Sequence, residues 1–430
     1  MATHLSLNFI KNIKLKINFH SFLLALILVS SCTTSNSIAS KVKSGQDYKQ
    51  VVEEDFKLDE DLPWSQRMTE SIIKRNPESW MTDFRKTPRW SYTHGLVLLA
   101  IQKVYYETGD ERYMQYVKSY ADTMITAEGV IKNYKITDYN IDNINPGKIL
   151  FALHKETKDD RYEKVIKTLK NQLKWQPRTK EGGYWHKLRY PYQMWLDGLY
   201  MGEPFYAQYA VEYNTPEAFD DIASQFILCE KRTKSAKSGL LYHGWDESRM
   251  QSWSNPESGK SAEVWGRAVG WYAMALVDVL DFFPKEHEGR AEIIAILQRL
   301  ASTVSAVQDE ETGTWYQVMD KPDAIGNYKE ATVTCMLSYA LAKGVRMGYL
   351  DNEYLEVAEK AYQGILDTFV EVEESGEMHI HKCCAVAGLG GDPYRDGSYE
   401  YYVNERIISN DTKATGPFIM ASLEFERLAD

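Results

Sequence analysis

An apolar helical segment opening on a small residue recurs six times along the chain, near Gly95, Gly147, Gly198, Gly266, Ala331 and Gly416. Most copies run into a second, more charged helix. In the first, Leu96, Leu99, Ala100 and Val104 fall at helical spacing. A break at Thr108-Gly109-Asp110 follows, then a helix carrying Tyr113, Val117 and Ala121. Later breaks fall at Lys158-Asp159-Asp160, at Asn214-Thr215-Pro216, around Pro284 and near Leu350-Asp351. The sixth apolar helix is left to pair with Trp64 to Arg75 at the start of the domain. Helices apolar nearly all round belong inside, and amphipathic ones outside. Six such pairs predict an all-α fold, an (α/α)6 toroid with an inner and an outer ring. A solenoid is the alternative, but it wants polar capping repeats at its ends, and the sequence offers none.

The connections from each outer helix to the next inner one are long and rich in rings, histidines and acids. Loops beyond about 12–15 residues are usually functional. By topology they gather at one mouth of the toroid, where a ligand pocket is expected. The densest of them, YWHKLRYPYQMWLDGLYMGEPF from Tyr184 to Phe205, carries seven aromatic rings with His186, Lys187, Arg189 and Asp197.

The ends of the chain and its charge bound what it can do. Residues 1–31 read as a sorting signal, with Lys11, Lys14 and Lys16 before the apolar run Phe22 to Val29. That run is too short for a permanent bilayer span. Val29-Ser30-Ser31-Cys32 resembles a bacterial lipobox, with Cys32 as the lipidated residue; a plain signal peptide is the alternative. Residues 32–61 read as a tether and 62–430 as one catalytic domain. An exported, lipid-anchored protein is expected, on the periplasmic side, since no acidic run follows Cys32. Removing the three leader lysines takes the formal charge from −11 to −14. No basic stripe offsets this, which argues against nucleic acid as a partner. Cys229, Cys335, Cys383 and Cys384 show no zinc spacing and no disulfide framework. His379 and His381 beside Cys383-Cys384 read as strand or loop alternation, so neither metal nor cofactor is expected.

Each candidate at the mouth has a plain structural reading beside the functional one. Asp197 stands where an apolar helix begins, so a helix N-cap is the commoner explanation. The sharper one is an acid whose pKa is raised by an apolar pocket. Asp142 is a cap candidate, though Asn145 is better placed. His186 and His243 each follow an aromatic residue and fit a buried, satisfied histidine as well as a ligand contact. Trp265 and Trp271 fit a core. Arg267 opens a nearly all-apolar helix, where a buried unpaired charge is costly; binding a carboxylate explains it better.

Four stretches are recognisable together: WLDGLYMGEPF, GLLYHGWDES, VWGRAVGW, and AGLGGDPYRDGSYEYYVNE followed by GPFIMASLE. From about Trp90 onward the chain resembles glycoside hydrolase family 105, the unsaturated rhamnogalacturonyl hydrolases and related unsaturated glucuronyl hydrolases. The resemblance implies an (α/α)6 barrel and Asp197 as proton donor, with Asp142 at its side. It implies that Asp142, His186, Arg267 and Trp271 bind the sugar, with His243 and Trp265 nearby; Asp142 is expected to be catalytic with Asp197, and Tyr92, Lys187, Arg189 and Trp195 to be further substrate contacts. It further implies an oligosaccharide substrate whose terminal uronic acid carries a 4,5 double bond, hydrated by Asp197 acting as acid and then base. On this reading Asp142 raises the pKa of Asp197 by repulsion, and Trp195 does so by desolvation. An ordinary inverting glycosidase and a non-catalytic glycan-binding lipoprotein remain the competing expectations.

Overall fold

The computed structural model describes residues 57–59 and 61–429. The leader, Cys32 and the tether up to residue 56 lie outside them. The main elements are α1 (Trp64–Arg75), α2 (Tyr92–Thr108), α3 (Glu111–Met124), α4 (Lys148–Thr157), α5 (Asp160–Trp175), α6 (Leu196–Glu212) and α7 (Ala218–Thr233). They continue with α8 (Gly266–Val279), α9 (Glu288–Ser305), α10 (Ala331–Arg346), α11 (Glu353–Thr368), the short α12 (Tyr399–Val403) and α13 (Thr412–Ala429). Burial sorts them into two rings. Every residue of α8 is buried, and so is nearly all of α10. In α5 and α11 only one face is buried. The even-numbered helices α2 to α10, with α13, form the inner ring, and each packs against its outer partner. This is the expected (α/α)6 arrangement.

The ring closes as the hairpin pattern demands. On α1, Ser65 donates to the Glu426 carboxylate of α13 from both its backbone N–H (3.1 Å) and its hydroxyl (2.7 Å). The within-pair turns follow from their residues. Gly109 and Lys158 end α2 and α4 in the left-handed region, and the Asp110 and Asp159 side chains cap α3 and α5. Pro204 inside α6 frees the Tyr200 carbonyl from its helical bond. Lys148 of α4 donates to that carbonyl at 3.2 Å, and burial pushes its ammonium down to about 7.

Two features depart from the sequence expectation. The fold is not purely helical. The mouth connections form three two-stranded antiparallel ribbons, the first between two connections and the other two within the long connection from α11 to α13. These are β1 (Gln193–Trp195) with β2 (Gly244–Asp246), β3 (Val370–Val372) with β4 (Met378–Ile380), and β5 (Cys383–Cys384) with β6 (Ile407–Ile408). Loops this long carry backbone groups that need partners once buried. Packing also reaches into the stretch read as a tether: Leu58 is buried, and its N–H donates to Ser375 at 2.9 Å. His379 and His381 pair with Glu373 and Glu371. The four cysteines of the domain are buried, free thiols.

Gly95 marks the closest approach of neighbouring inner elements, since a Cβ there would lie 2.6 Å from the Pro146 Cα. Gly to Ala in a helix interior ordinarily gains up to about 1 kcal/mol. Here the clash is with backbone, so Gly95→Ala is expected to cost about 1–3 kcal/mol and to lower the melting temperature in a thermal scan.

Candidate active site

The side chains at the mouth are placed by backbone bonds that run from loop to loop. The N–H of Ile141 donates to the His186 carbonyl (3.1 Å), and that of His186 to Gln193 (2.8 Å). Leu196 donates to His243 (3.1 Å), and His243 to Glu263 (3.4 Å). The β1–β2 register sets Trp195 opposite Gly244. Asp142, His186, Asp197 and His243 are thereby brought together although they are scattered over a hundred residues of sequence.

Asp197 lies in the first turn of α6, but the N-cap position belongs to Trp195 and receives no side-chain bond. The cap reading of Asp197 is therefore wrong. Its Oδ2 lies 3.2 Å from His243 Nε2, close but not aligned as a hydrogen bond. His243 is wholly buried, and its Nδ1 meets the Tyr402 hydroxyl at 2.7 Å. Trp195 forms the wall between the two histidines. Its ring stacks on His186 at 4.3 Å and meets His243 edge-on at 5.3 Å.

Asp142 sits in a 3-10 turn (Ile141–Gly147) leading into α4, where Asn140 rather than Asp142 supplies the cap. Its carboxylate takes Lys187 Nζ at 2.6 Å and His186 Nε2 at 3.3 Å. Burial pushes the carboxyl up, but Lys187 first and His186 second hold it well below the usual carboxylate range. Burial also pushes His186 below its ordinary value, against the pull of Asp142.

The sequence expectation of a raised pKa at Asp197 fails for the unliganded protein. Burial acts upward as expected, but His243, through its charge when protonated and through its ring N–H, with His186 behind it, outweighs it and holds Asp197 below its ordinary value. The charge of Asp142 is spent on Lys187 and His186, so it cannot supply the expected repulsion. The positive end of the α6 dipole acts in the same direction as His243.

A second group is linked to His243 through Trp265, whose ring lies 4.7 Å from the imidazole. Arg267, in the first turn of α8, is buried and donates to the Cys384 carbonyl, and its guanidinium stands 4.8 Å from the Trp265 ring. Glu330 holds Cys384 in place by accepting its N–H at 2.8 Å. Trp271 is buried in the wall against Tyr200 (4.9 Å), with Tyr92 edge-on at 6.2 Å. Burial pushes the Tyr92 phenol up to about 12, against the pull of Lys413 and Arg267. Lys187 is tied to Asp142. Arg189 is exposed on the rim over Tyr190 and is not brought to the carboxylates.

Two residues escaped the sequence reading. Lys413 in the first turn of α13 is buried, with Asp411 at 2.9 Å. The signal was the one that singled out Arg267, a charge at the head of an apolar helix. Tyr402 carried no such signal, because its partner His243 is 159 positions away.

Tyr92, Asp197, Arg267 and Lys413 all stand in the first turns of inner helices. Several positive helix ends thus face one place, a setting that favours an anion. The Asp142 and Asp197 side chains keep 13% and 14% exposure, against 0% for His243 and 3% for His186. A ligand entering from the mouth therefore meets the carboxylates first.

A family model described as Glycosyl Hydrolase Family 88 matches residues 64–429. The chain belongs to that family. The enzyme is similar to the solved glycoside hydrolase from family 105 of C. acetobutylicum ATCC 824, at 45% identity and a TM-score of 0.82, over 85% of this chain and 100% of that one. This supports the family 105 resemblance. A protein of Agrobacterium fabrum is 40% identical over 235 residues, 53% of this chain and all of that one. The unsaturated rhamnogalacturonyl hydrolase YesR of Bacillus subtilis is 26% identical over 313 residues, 71% of this chain and 81% of that protein. The chain is accordingly a glycoside hydrolase.

The Asp142–Lys187 pair gives a pH-dependent prediction for this glycoside hydrolase. A depressed carboxyl contributes stability above its unfolded pKa and loses it as pH falls through the folded value. Lys187→Met leaves the buried Asp142 charge with His186 alone, and is expected to cost about 3 kcal/mol near pH 7. In the variant the Asp142 pKa rises. The deficit, read from urea unfolding, should therefore shrink as pH falls through that raised value, because a protonated Asp142 needs no cation.

Proposed function

We propose that the enzyme removes a 4,5-unsaturated uronic acid from the non-reducing end of oligosaccharides made by polysaccharide lyases. The unequal setting of the two carboxyls carries this reading. Two-carboxyl glycosidases divide the work between an acid and a base or nucleophile. Asp142 is a poor base, since Lys187 and His186 hold its charge. Asp197 is left as the one working carboxyl, and hydration of an alkene needs only one.

Asp197 would give its proton to carbon 4, and positive charge then develops at carbon 5 and the ring oxygen. The same carboxylate takes a proton from water as that water adds to carbon 5. The hemiketal opens, and the sugar parts from its aglycone. Asp197 must first gain a proton. The substrate carboxylate supplies a like charge and displaces water, and both effects raise a neighbouring carboxyl. The positive helix ends and the cations Arg267 and Lys413 suit that substrate carboxylate. Trp195, Trp271 and Tyr92 supply ring surfaces for the sugar. Lipidation at Cys32 would hold the domain at the membrane, on the periplasmic side.

Asp197→Asn keeps shape and volume but cannot titrate. Loss of a positioned acid–base group costs about 10²–10⁴-fold, and turnover should fall at the upper end of that range while the oligosaccharide still binds. Loss of the alkene's ultraviolet absorbance reports turnover, and calorimetry reports binding. A variant with near-normal turnover would remove Asp197 from the reaction.

A further inference from the structure

Tyr402 meets His243 at the ring nitrogen that does not face Asp197. Both His243 and Tyr402 are wholly buried. The Tyr402 ring is fixed from two directions. It stacks on Trp265 at 5.7 Å, and its backbone carbonyl accepts from Gln317 Nε2 at 3.0 Å. Gln317 Oε1 in turn accepts from Trp265 Nε1 at 3.2 Å. Among the described residues, His243 Nδ1 is the hydrogen-bond partner of the Tyr402 hydroxyl, at 2.7 Å. A buried hydroxyl left unpaired costs about 1–3 kcal/mol, so the phenol donates and Nδ1 accepts. The imidazole hydrogen must then sit on Nε2, the atom that faces Asp197 at 3.2 Å.

We propose that Tyr402 is a positioning residue that locks His243 in its neutral Nε2–H tautomer, so that Asp197 faces a hydrogen-bond donor rather than a cation. The inference rests on the reading of Asp197 as the proton donor. A cationic His243 would hold Asp197 as a firm anion and oppose protonation when substrate arrives. A second proton on His243 would have to go on Nδ1, against the phenol hydrogen. The other ionisable groups around the ring do not favour that proton. The Glu263 carboxylate is tied to Lys321 at 2.6 Å. His186 lies across Trp195, and Burial keeps it low. Tyr401 packs on Tyr402, and Arg395 stands 5.9 Å from the Trp195 ring with a charge that opposes a cation on His243.

Nitrogen-15 NMR of the histidines reads the tautomer directly, with the His243 signals assigned by their loss in His243→Asn. In the wild type near pH 7 they should show Nε2–H character, with Nδ1 unprotonated. Tyr402→Phe keeps the ring and removes the donor. It should free Nδ1 of His243 to carry a hydrogen and lower kcat on the order of tenfold, with KM within about threefold. The basic limb of the kcat profile should also move to lower pH, because a cationic His243 makes Asp197 give up its proton sooner. A wild-type His243 that is cationic or Nδ1–H near pH 7 overturns the proposal, and that result does not depend on the variant folding. So does a folded Tyr402→Phe with unchanged tautomer and pH profile. Full turnover in Asp197→Asn would instead overturn the reading of Asp197, and the tautomer would still be measured on its own.

Discussion

The Asp197 carboxylate stands 3.2 Å from a buried imidazole in the first turn of an inner helix, and much of the surrounding structure serves to hold it there. The helix brings it to the mouth. The pairing of β1 with β2, and the bond from Leu196 to His243, fix the imidazole beside it. Trp195 keeps His186 and His243 apart as a ring wall. Asp142, close by in the fold, has the opposite setting. Its charge is paired with Lys187 and His186, so it holds shape and potential rather than moving protons. Two acids of the same type thus differ in chemistry because their partners differ.

The barrel supplies the wider electrostatics. All six inner helices run the same way, so their positive ends meet at the mouth. Arg267 adds a full charge there, bonded to the neutral Cys384 carbonyl, and Lys413 adds an ammonium paired with Asp411. An acidic protein, with a formal charge of −11, can in this way present a local setting suited to an anion. Distant repulsion in water is screened within about 10 Å, whereas helix ends and buried cations act at contact.

Much of the fold could be read from the chain, because a ring of helical hairpins writes its burial into local periodicity. The six apolar helices, their turns and the closing pair were legible for that reason. The mouth ribbons were not, because strands of two or three residues leave no periodic trace. In the site, Arg267 was legible as a charge where burial forbids one without purpose. Asp197 was legible as a carboxyl at a helix start, but its pKa direction was not. That direction depends on where Asp142 spends its charge and on how close His243 comes, and both are set by contacts between distant loops. Tyr402 was hidden for the same reason.

The central claim is that one carboxyl protonates an alkene carbon and water adds next to it. It is tested most directly by following labelled solvent into the products of a single turnover on a lyase-generated oligosaccharide. Hydration predicts solvent deuterium at carbon 4 of the released uronic acid, with the alkene lost as the aglycone appears. Release of the uronic acid with its double bond intact, and with solvent oxygen at carbon 1, would contradict it.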